Sequence, residues 1–429
     1  MLSSSMRSLR ALALSCVLAA PLCGSGLGAA DFYALELSPG EDAQAVAQAV
    51  PGLQRWLALG PTLVVETATP PTGHAPRRLE VDPGTAFAIV LAKHHPLDEA
   101  HAPVRARFLA RHAGIALAAV LPGPTPAAAE SHLEVRPVPW NKVLVGPAHA
   151  RVSRASDPAT DAMVATVSAD ALKADVQKLV DFKTRHSLSQ GYRDAADWCD
   201  AQLKSYGLTT SRVPFQMSGR TVENVVGELP GTGSTDVFII GAHLDSIAFD
   251  NDSVLAPGAD DNASGSACVL AIARAFRGKA PKATLRFMFY GGEEEDLLGS
   301  TAYLNGLAPE ERARIKGVII LDMTAFHKGA PGLMLEGREI SAPVTEVVAA
   351  AAARYTQLNV ERSLEAWGSD HVPYLDEGIP ALLTFELDYP VNGNQHSMRD
   401  RMELVDAEQA AAIARADVAA LATLAGLAR

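Results

Sequence analysis

Four short apolar runs in the second half of the chain, at residues 237–240, 284–290, 318–321 and 381–385, constrain the fold more than any other feature of the sequence. Stretches with helical spacing of apolar residues lie between and after them, at 267–276, 344–353 and 407–424. Two further helical stretches, 172–182 and 195–206, precede them, and Gly207 is a good helix stop. Strands apolar on both sides suit a sheet covered on both faces, so residues from about 168 onward predict an α/β layered domain.

The chain has 429 residues, which suggests two or three domains and a sizeable core. Apolar residues make up 48% and charged residues 20%, which excludes a wholly disordered or collagen-like chain. Lys plus Arg is 37 and Asp plus Glu is 49, a net charge of −12. An acidic chain without a basic block is poorly suited to gripping a phosphate backbone, so nucleic acid is not an expected partner. Arg7 and Arg10 precede an apolar run at 11–20, followed by Pro21 and the mostly small residues 24–30. This pattern fits a secretory signal over residues 1–30, cleaved near Ala29 or Ala30, against the plainer reading of a buried N-terminal helix. No other segment reaches the apolar length of a membrane span, and an exported protein, secreted or periplasmic, is the expectation. Cys16 and Cys23 would leave with the signal. Cys199 and Cys268 remain, as one disulfide or as two small core residues.

Residues 31–155 read as a smaller α+β unit ahead of a second unit at 160–429. Strand-like runs occur at 32–37, 62–66 and 86–91, a basic helix-like stretch covers 103–112, and prolines punctuate the remainder. His94 and His95 are adjacent and point apart on a helix or a strand, a poor pair for one metal. The polar, Pro-punctuated stretch 148–160 suits a linker or a processing site. A featureless unit ahead of a loaded one reads as a propeptide, with a permanent accessory domain as the alternative.

The chemistry lies where the apolar runs end. The first runs into His243-Leu-Asp245, the second into Gly291-Gly292-Glu293-Glu294, and the third into Asp322. Asp261 sits just ahead of a helical stretch, and His396 follows the last run by a loop. Open α/β sheets bind ligands beyond the carboxyl ends of their strands, so these groups are expected at one sheet edge. Two imidazoles with several carboxylates suit zinc or another divalent first-row metal. No Arg or Lys accompanies the motifs, and buried carboxylates need a counter-charge. Asp261, Glu294 and Asp322 with one hydroxide balance two divalent ions, which would sit roughly 3.5–4 Å apart.

His-x-Asp after a strand, Gly-x-Asp-Asp-Asn-x-Ser-Gly, Glu-Glu-x-x-Leu-x-Gly-Ser, Leu-Asp-Met and a late His-Ser-x-x-Asp resemble, in this order, the co-catalytic zinc aminopeptidases of the M28 type, bacterial leucyl aminopeptidase in particular. The resemblance spans residues 165–425. It implies a central mixed, twisted sheet with helices on both faces, two zinc ions, and removal of N-terminal residues, often apolar, from peptides. Carried over, His243, Asp261 and Asp322 would hold one zinc and Asp261, Glu294 and His396 the other, with Asp261 bridging. Glu293 would be the general base towards a metal-bound water. Asp245 would orient His243, and Asp400 would act similarly near His396. Where the family commonly has Gly two positions after the Glu pair, this chain has Glu295 and Asp296. Counting back from Gly299-Ser300 places the pair at Glu293 and Glu294; another anchor would move it to Glu294 and Glu295. The added negative charge is expected to favour a cationic substrate amine.

Taken singly, each motif has a plain reading. His243 fits a strand-end core histidine, Asp322 a cap or turn acid, residues 293–296 a solvated charge run, and 260–262 a calcium or Asx turn. Their joint placement at strand ends singles out a metal centre. Met323, Trp367 and Phe385 read first as core, with a role in an apolar substrate pocket as the alternative. The rivals are a glutaminyl cyclase-like enzyme with one zinc, a related carboxypeptidase, which would need a cationic clamp, and a non-catalytic binding module on the same scaffold. The preferred side chain, physiological substrate and oligomeric state are not encoded in any motif.

Overall fold

A computed structural model describes residues 30–82, 84–92, 97, 105–122, 133–148, 157–251, 253–366 and 368–427. The apolar run 11–20, Cys16, Cys23, His94, His95, residues 149–156 and Trp367 therefore lie outside the described residues. Contacts divide the chain into two units, Met1–Pro147 and Ala148–Arg429.

The first unit is built largely of strands: β1 (Asp31–Glu36), β2 (Leu53–Leu59), β3 (Thr62–Thr67), β4 (Arg77–Leu79), β5 (Ala86–Ala92), β6 (Ala106–His112), β7 (Ile115–Val120), β8 (Leu133–Arg136) and β9 (Lys142–Pro147). Its helix α1 (Ala43–Gln48) is capped by the Asp42 carboxylate, which accepts from the backbone N–H of Gln44 and Ala45. The strands run β9-β2-β3-β1-β4 and β6-β7-β5-β8. Each sheet has its own apolar cluster, one around Leu35, Trp56 and Val65 and one around Val90, Ala116 and Ala118. The expected helix at 103–112 is corrected: its described part is strand β6, paired antiparallel with β7. Ala113 (φ 45°) and Gly114 (φ 70°) form the turn between them, and two left-handed residues match the twist of a two-residue hairpin.

The second unit is the α/β layered domain. Its helices are α2 (Pro158–Val164), α3 (Ala169–Val180), α4 (Gln190–Ser205), α5 (Gly265–Ala275), α6 (Leu298–Gly306), α7 (Pro309–Arg314), α8 (Ala342–Tyr355), α9 (Val372–Asp376) and α10 (Ala407–Ala425). Its strands are β10 (Thr209–Met217), β11 (Arg220–Leu229), β12 (Val237–His243), β13 (Thr284–Tyr290), β14 (Ile315–Leu321), β15 (Gly332–Glu336), β16 (Asn359–Ser363) and β17 (Ala381–Glu386). They run β10-β11-β13-β12-β14-β17-β15-β16. The central four, β13-β12-β14-β17, are parallel, and antiparallel partners flank them, so the sheet is mixed. Every residue of β12 is buried, as a strand covered on both faces requires. Ser168, Ser189 and Asp406 cap α3, α4 and α10 through their side-chain oxygens.

The register levels the parallel strand ends. His243 lies opposite Tyr290, and Gly241 opposite Ile320. The residues that follow, Leu244–Asp245, Gly291–Glu294 and Asp322, therefore leave the sheet along one edge. Cys199 and Cys268 are both buried and free, so they are core thiols without a disulfide. Burial pushes the Cys268 thiol up to about 12.

Candidate metal centre

Two groups of ligand-type atoms meet at that edge, His243 with Asp261 and Asp322, and Asp261 with Glu294 and His396; within each group the atoms lie within 4.8 Å of one another. His243 Nε2 is 3.1 Å from Asp322 Oδ1 and 3.3 Å from Asp261 Oδ1. His396 Nε2 is 3.1 Å from Asp261 Oδ2 and 2.9 Å from Glu294 Oε2. The two oxygens of Asp261 thus face different imidazoles.

Local structure explains how Asp261 reaches between them. It lies in the segment Ala259–Ser264, where Asp261 (φ −107°, ψ 91°) and Asn262 (φ −135°, ψ 52°) leave helical geometry and are joined by a cis peptide. Asn262 donates from Nδ2 to the Leu321 carbonyl, and its Oδ1 accepts from the N–H of Gly265 and Met323, lacing this segment to the end of β14. The Asp400 carboxylate accepts from the N–H of Asp260 and of Asp261, both at 2.9 Å. Asp400 therefore steadies the backbone of the shared acid. The Asp245 carboxylate accepts from the N–H of Glu293 and Glu294, at 3.4 and 3.3 Å, and its Oδ1 lies 3.6 Å from His243 Nδ1. The carboxylate braces the Glu turn, while the Asp245 backbone carbonyl, 3.2 Å from His243 Nδ1, holds the imidazole, a double duty that spacing alone did not reveal.

The electrostatics are those of an acid-rich pocket short of cations. Burial, the largest influence, pushes the Glu294 carboxyl up to about 7. Burial works against a charged His396, yet the Glu294 and Asp261 carboxylates outweigh it and raise the imidazole well above its ordinary range. His243 behaves the same way, with Asp322 and Glu293 opposing burial. Asp261 is held well below the usual carboxylate range because hydrogen bonds from both histidines exceed the cost of its burial. Protons on the imidazoles here stand in for positive charge that bound cations would otherwise supply. Glu294 Oε1 is buried without a hydrogen-bond donor. Mixed imidazole and carboxylate donors of this kind fit zinc.

Several neighbours had escaped the sequence reading. Ser369 Oγ donates to Asp322 Oδ2 at 2.7 Å. Asp370 is fully buried, and burial pushes its carboxyl up to about 7. The run Ser369-Asp370-His371 was the available signal, three polar residues in succession that are all buried. Ser187 Oγ accepts from the N–H of Gly292. The ring of Phe249 stands edge-on to that of His396, centroids 5.2 Å apart, while remaining 63% exposed.

The structure also resolves the run of glutamates. Glu294 reaches Asp261 and His396, whereas Glu295 lies 3.2 Å from His186 Nε2. That contact raises the imidazole pKa of His186 and partners the charge of Glu295, leaving exposed Asp296 as the added acid. Asp296 holds φ 69°, the left-handed backbone in which glycine is the usual residue and Asp is tolerated. Met323 and Phe385 are buried at 6% and 5% exposure.

Residues 224–421 match Peptidase family M28. Over that stretch the chain is similar to the M28 peptidases. Leupeptin-inactivating enzyme 1 of Streptomyces exfoliatus is 34% identical over 195 residues, 44% of this chain and 42% of that protein. Leucine aminopeptidase 1 of Arthroderma gypseum is 28% identical over 252 residues, 53% of this chain and 66% of that protein. The chain thus spans less than two thirds of each of these relatives. Among solved structures, the LapA aminopeptidase of Legionella pneumophila superposes on 80% of this chain and 99% of its own, with a TM-score of 0.57 at 18% identity, a likeness of fold. The M28 match and the relatives indicate a metallo-aminopeptidase hydrolase and imply zinc.

Proposed function

We propose that the M28-like domain is a dinuclear zinc aminopeptidase that removes an N-terminal, preferentially apolar residue from peptides. The observation that carries this reading is the placement of Asp261, one oxygen towards His243 and the other towards His396. A carboxylate so placed supports two cations sharing it, with His243 and Asp322 completing one set and Glu294 and His396 the other. It favours this reading over a single-zinc cyclase on the same scaffold.

Bound there, zinc would polarise the scissile carbonyl and ease deprotonation of the attacking water. Glu293 accepts that proton at its carboxylate and passes it to the nitrogen of the leaving amine. Its buried side chain and its backbone anchor on Asp245 support a fixed base. The acid-rich edge suits a free substrate amine and repels a substrate carboxylate. Arg185, the buried cation of the region, spends its donors on main-chain carbonyls, so it offers no carboxypeptidase clamp. Exposed Phe249 beside His396 supports an apolar preference, since an aromatic ring held at a site's rim gains by covering an aliphatic side chain. Residues 1–30 act as an export signal and residues 31–155 as a propeptide in the same proposal.

Metal analysis with a panel of aminoacyl anilides tests the reading. Two zinc ions per chain, faster turnover on leucyl than on glutamyl anilide, and loss of activity on chelation with recovery on adding zinc are expected. Phe249→Ala should narrow the leucyl preference while sparing kcat. Activity indifferent to chelator, or one zinc with cyclised glutaminyl product, would replace the proposal.

A further inference from the structure

Arg185 is the arginine or lysine that lies fully buried among the described residues, at 0% exposure. A buried guanidinium costs several kcal/mol unless all its donors are used. Here Nε donates to the Leu244 carbonyl at 2.9 Å, Nη1 to Pro257 at 2.7 Å and Leu179 at 3.2 Å, and Nη2 to Gly258 at 2.8 Å. None of these acceptors is a carboxylate. Asp400, Asp245 and Asp261 act on it only through their charge, and burial lowers its pKa to about 10, so it stays protonated.

The identity of the acceptors is informative. Leu244 lies between His243 and Asp245. Pro257 and Gly258 open the segment that delivers Asp260 and Asp261. Leu179 belongs to the last turn of α3, the end of a helix that favours a cation. The Arg185 N–H adds a bond to Ser246 Oγ, which in turn donates to the Ala256 carbonyl, so the same two loops are joined a second time. Gly258 has φ 50°, and a Cβ there would lie 2.9 Å from Arg185 Nη2, 2.4 Å from the Asp261 carbonyl and 2.5 Å from Ser246 Cβ. The backbone has been brought as close to the guanidinium as glycine permits.

We propose that Arg185 is a positioning residue for the metal centre, setting the spacing between the loop that carries His243 and the loop that carries Asp261. The proposal rests on the reading of those residues as metal ligands. Charge and geometry here have opposite signs. A fixed positive charge repels incoming zinc, so if charge were its only influence, neutralising Arg185 would tighten zinc binding. If position is its role, neutralising it loosens the ligand set and weakens binding. Lysine retains the charge and loses the planar fork that reaches several carbonyls at once.

Zinc stoichiometry and affinity, measured by competition with a chromogenic chelator on full-length Arg185→Gln and Arg185→Lys whose fold is checked by circular dichroism, decide the matter. Both variants are expected to bind zinc at least about tenfold more weakly, in line with other residues that orient ligands from behind, with kcat reduced and KM for leucyl anilide unchanged. Affinity within twofold of wild type in a folded variant, or tighter binding by Arg185→Gln, overturns the proposal. Should both fail to fold, Ser246→Ala, which removes the second tie and leaves the guanidinium in place, should weaken zinc at least about threefold; unchanged affinity there overturns it as well. Wild-type protein that takes up no zinc would remove the ligand reading itself, a result separate from any difference between variants.

Discussion

A carboxylate can serve two cations at once only if nothing else claims its oxygens, and the surroundings of Asp261 meet that condition by taking hold of its backbone instead. Asp400 accepts from its N–H, Asn262 laces the next peptide to β14, and both side-chain oxygens are left to the imidazoles. Glu293 differs from its neighbour in just this respect, since it belongs to neither ligand group. Glu293→Gln keeps the shape and removes the base. It should retain both zinc ions and lose about 10²–10⁴ in kcat with little change in KM. Turnover within tenfold of wild type, with zinc intact, would assign the proton transfer elsewhere.

Among the elements, α10 shows how burial overrides sequence character. This alanine-rich helix is buried along most of its length and carries Asp417 into the core, where Thr384 Oγ1 of β17 donates to it at 3.0 Å. Burial pushes the Asp417 carboxyl up to about 8, far above its value in an unfolded chain. The folded state therefore holds a proton that the unfolded state has released, and between about pH 4 and 8 the unfolded chain binds fewer protons. Stability from this group is full below the unfolded pKa and is lost as pH rises towards 8. Asp417→Asn, with the zinc sites saturated, should match wild type near pH 4 and exceed it by at least about 2 kcal/mol at pH 8. Urea titrations at the two pH values check this, and a difference independent of pH would refute it.

At the scale of the molecule, two apolar clusters among the described residues lie within residues 33–143 of the first unit, and another draws on residues from Met163 onward in the second. The proposed metal ligands all belong to the second unit. The propeptide proposal accordingly predicts that active, exported protein begins between residues 148 and 160, as read by N-terminal sequencing of the mature species. Full-length protein with undiminished activity would make the first unit a permanent domain. No helix among the described residues is long and apolar enough to cross a membrane.

The layered domain and the grouping of His243, Asp261, Glu294, Asp322 and His396 were legible in the sequence. Apolar runs that end in histidine and carboxylate side chains report both a buried parallel strand and the edge where it stops, and that information is local. The hairpin at β6–β7 was misread as a helix because the basic residues obscured a turn whose evidence is backbone conformation. Arg185, Ser369, Asp370 and Phe249 were missed for a different reason. Each acts on residues far away in the chain, and Arg185 in a run such as Lys183-Thr-Arg185-His186 looks like surface. Only the folded chain decides that its guanidinium is sealed between two loops, that Asp400 holds the backbone of Asp261, and that the third glutamate faces a histidine. Periodicity records what a residue does for its own strand or helix, whereas hydrogen bonds between loops exist only once the sheet has brought those loops to one edge.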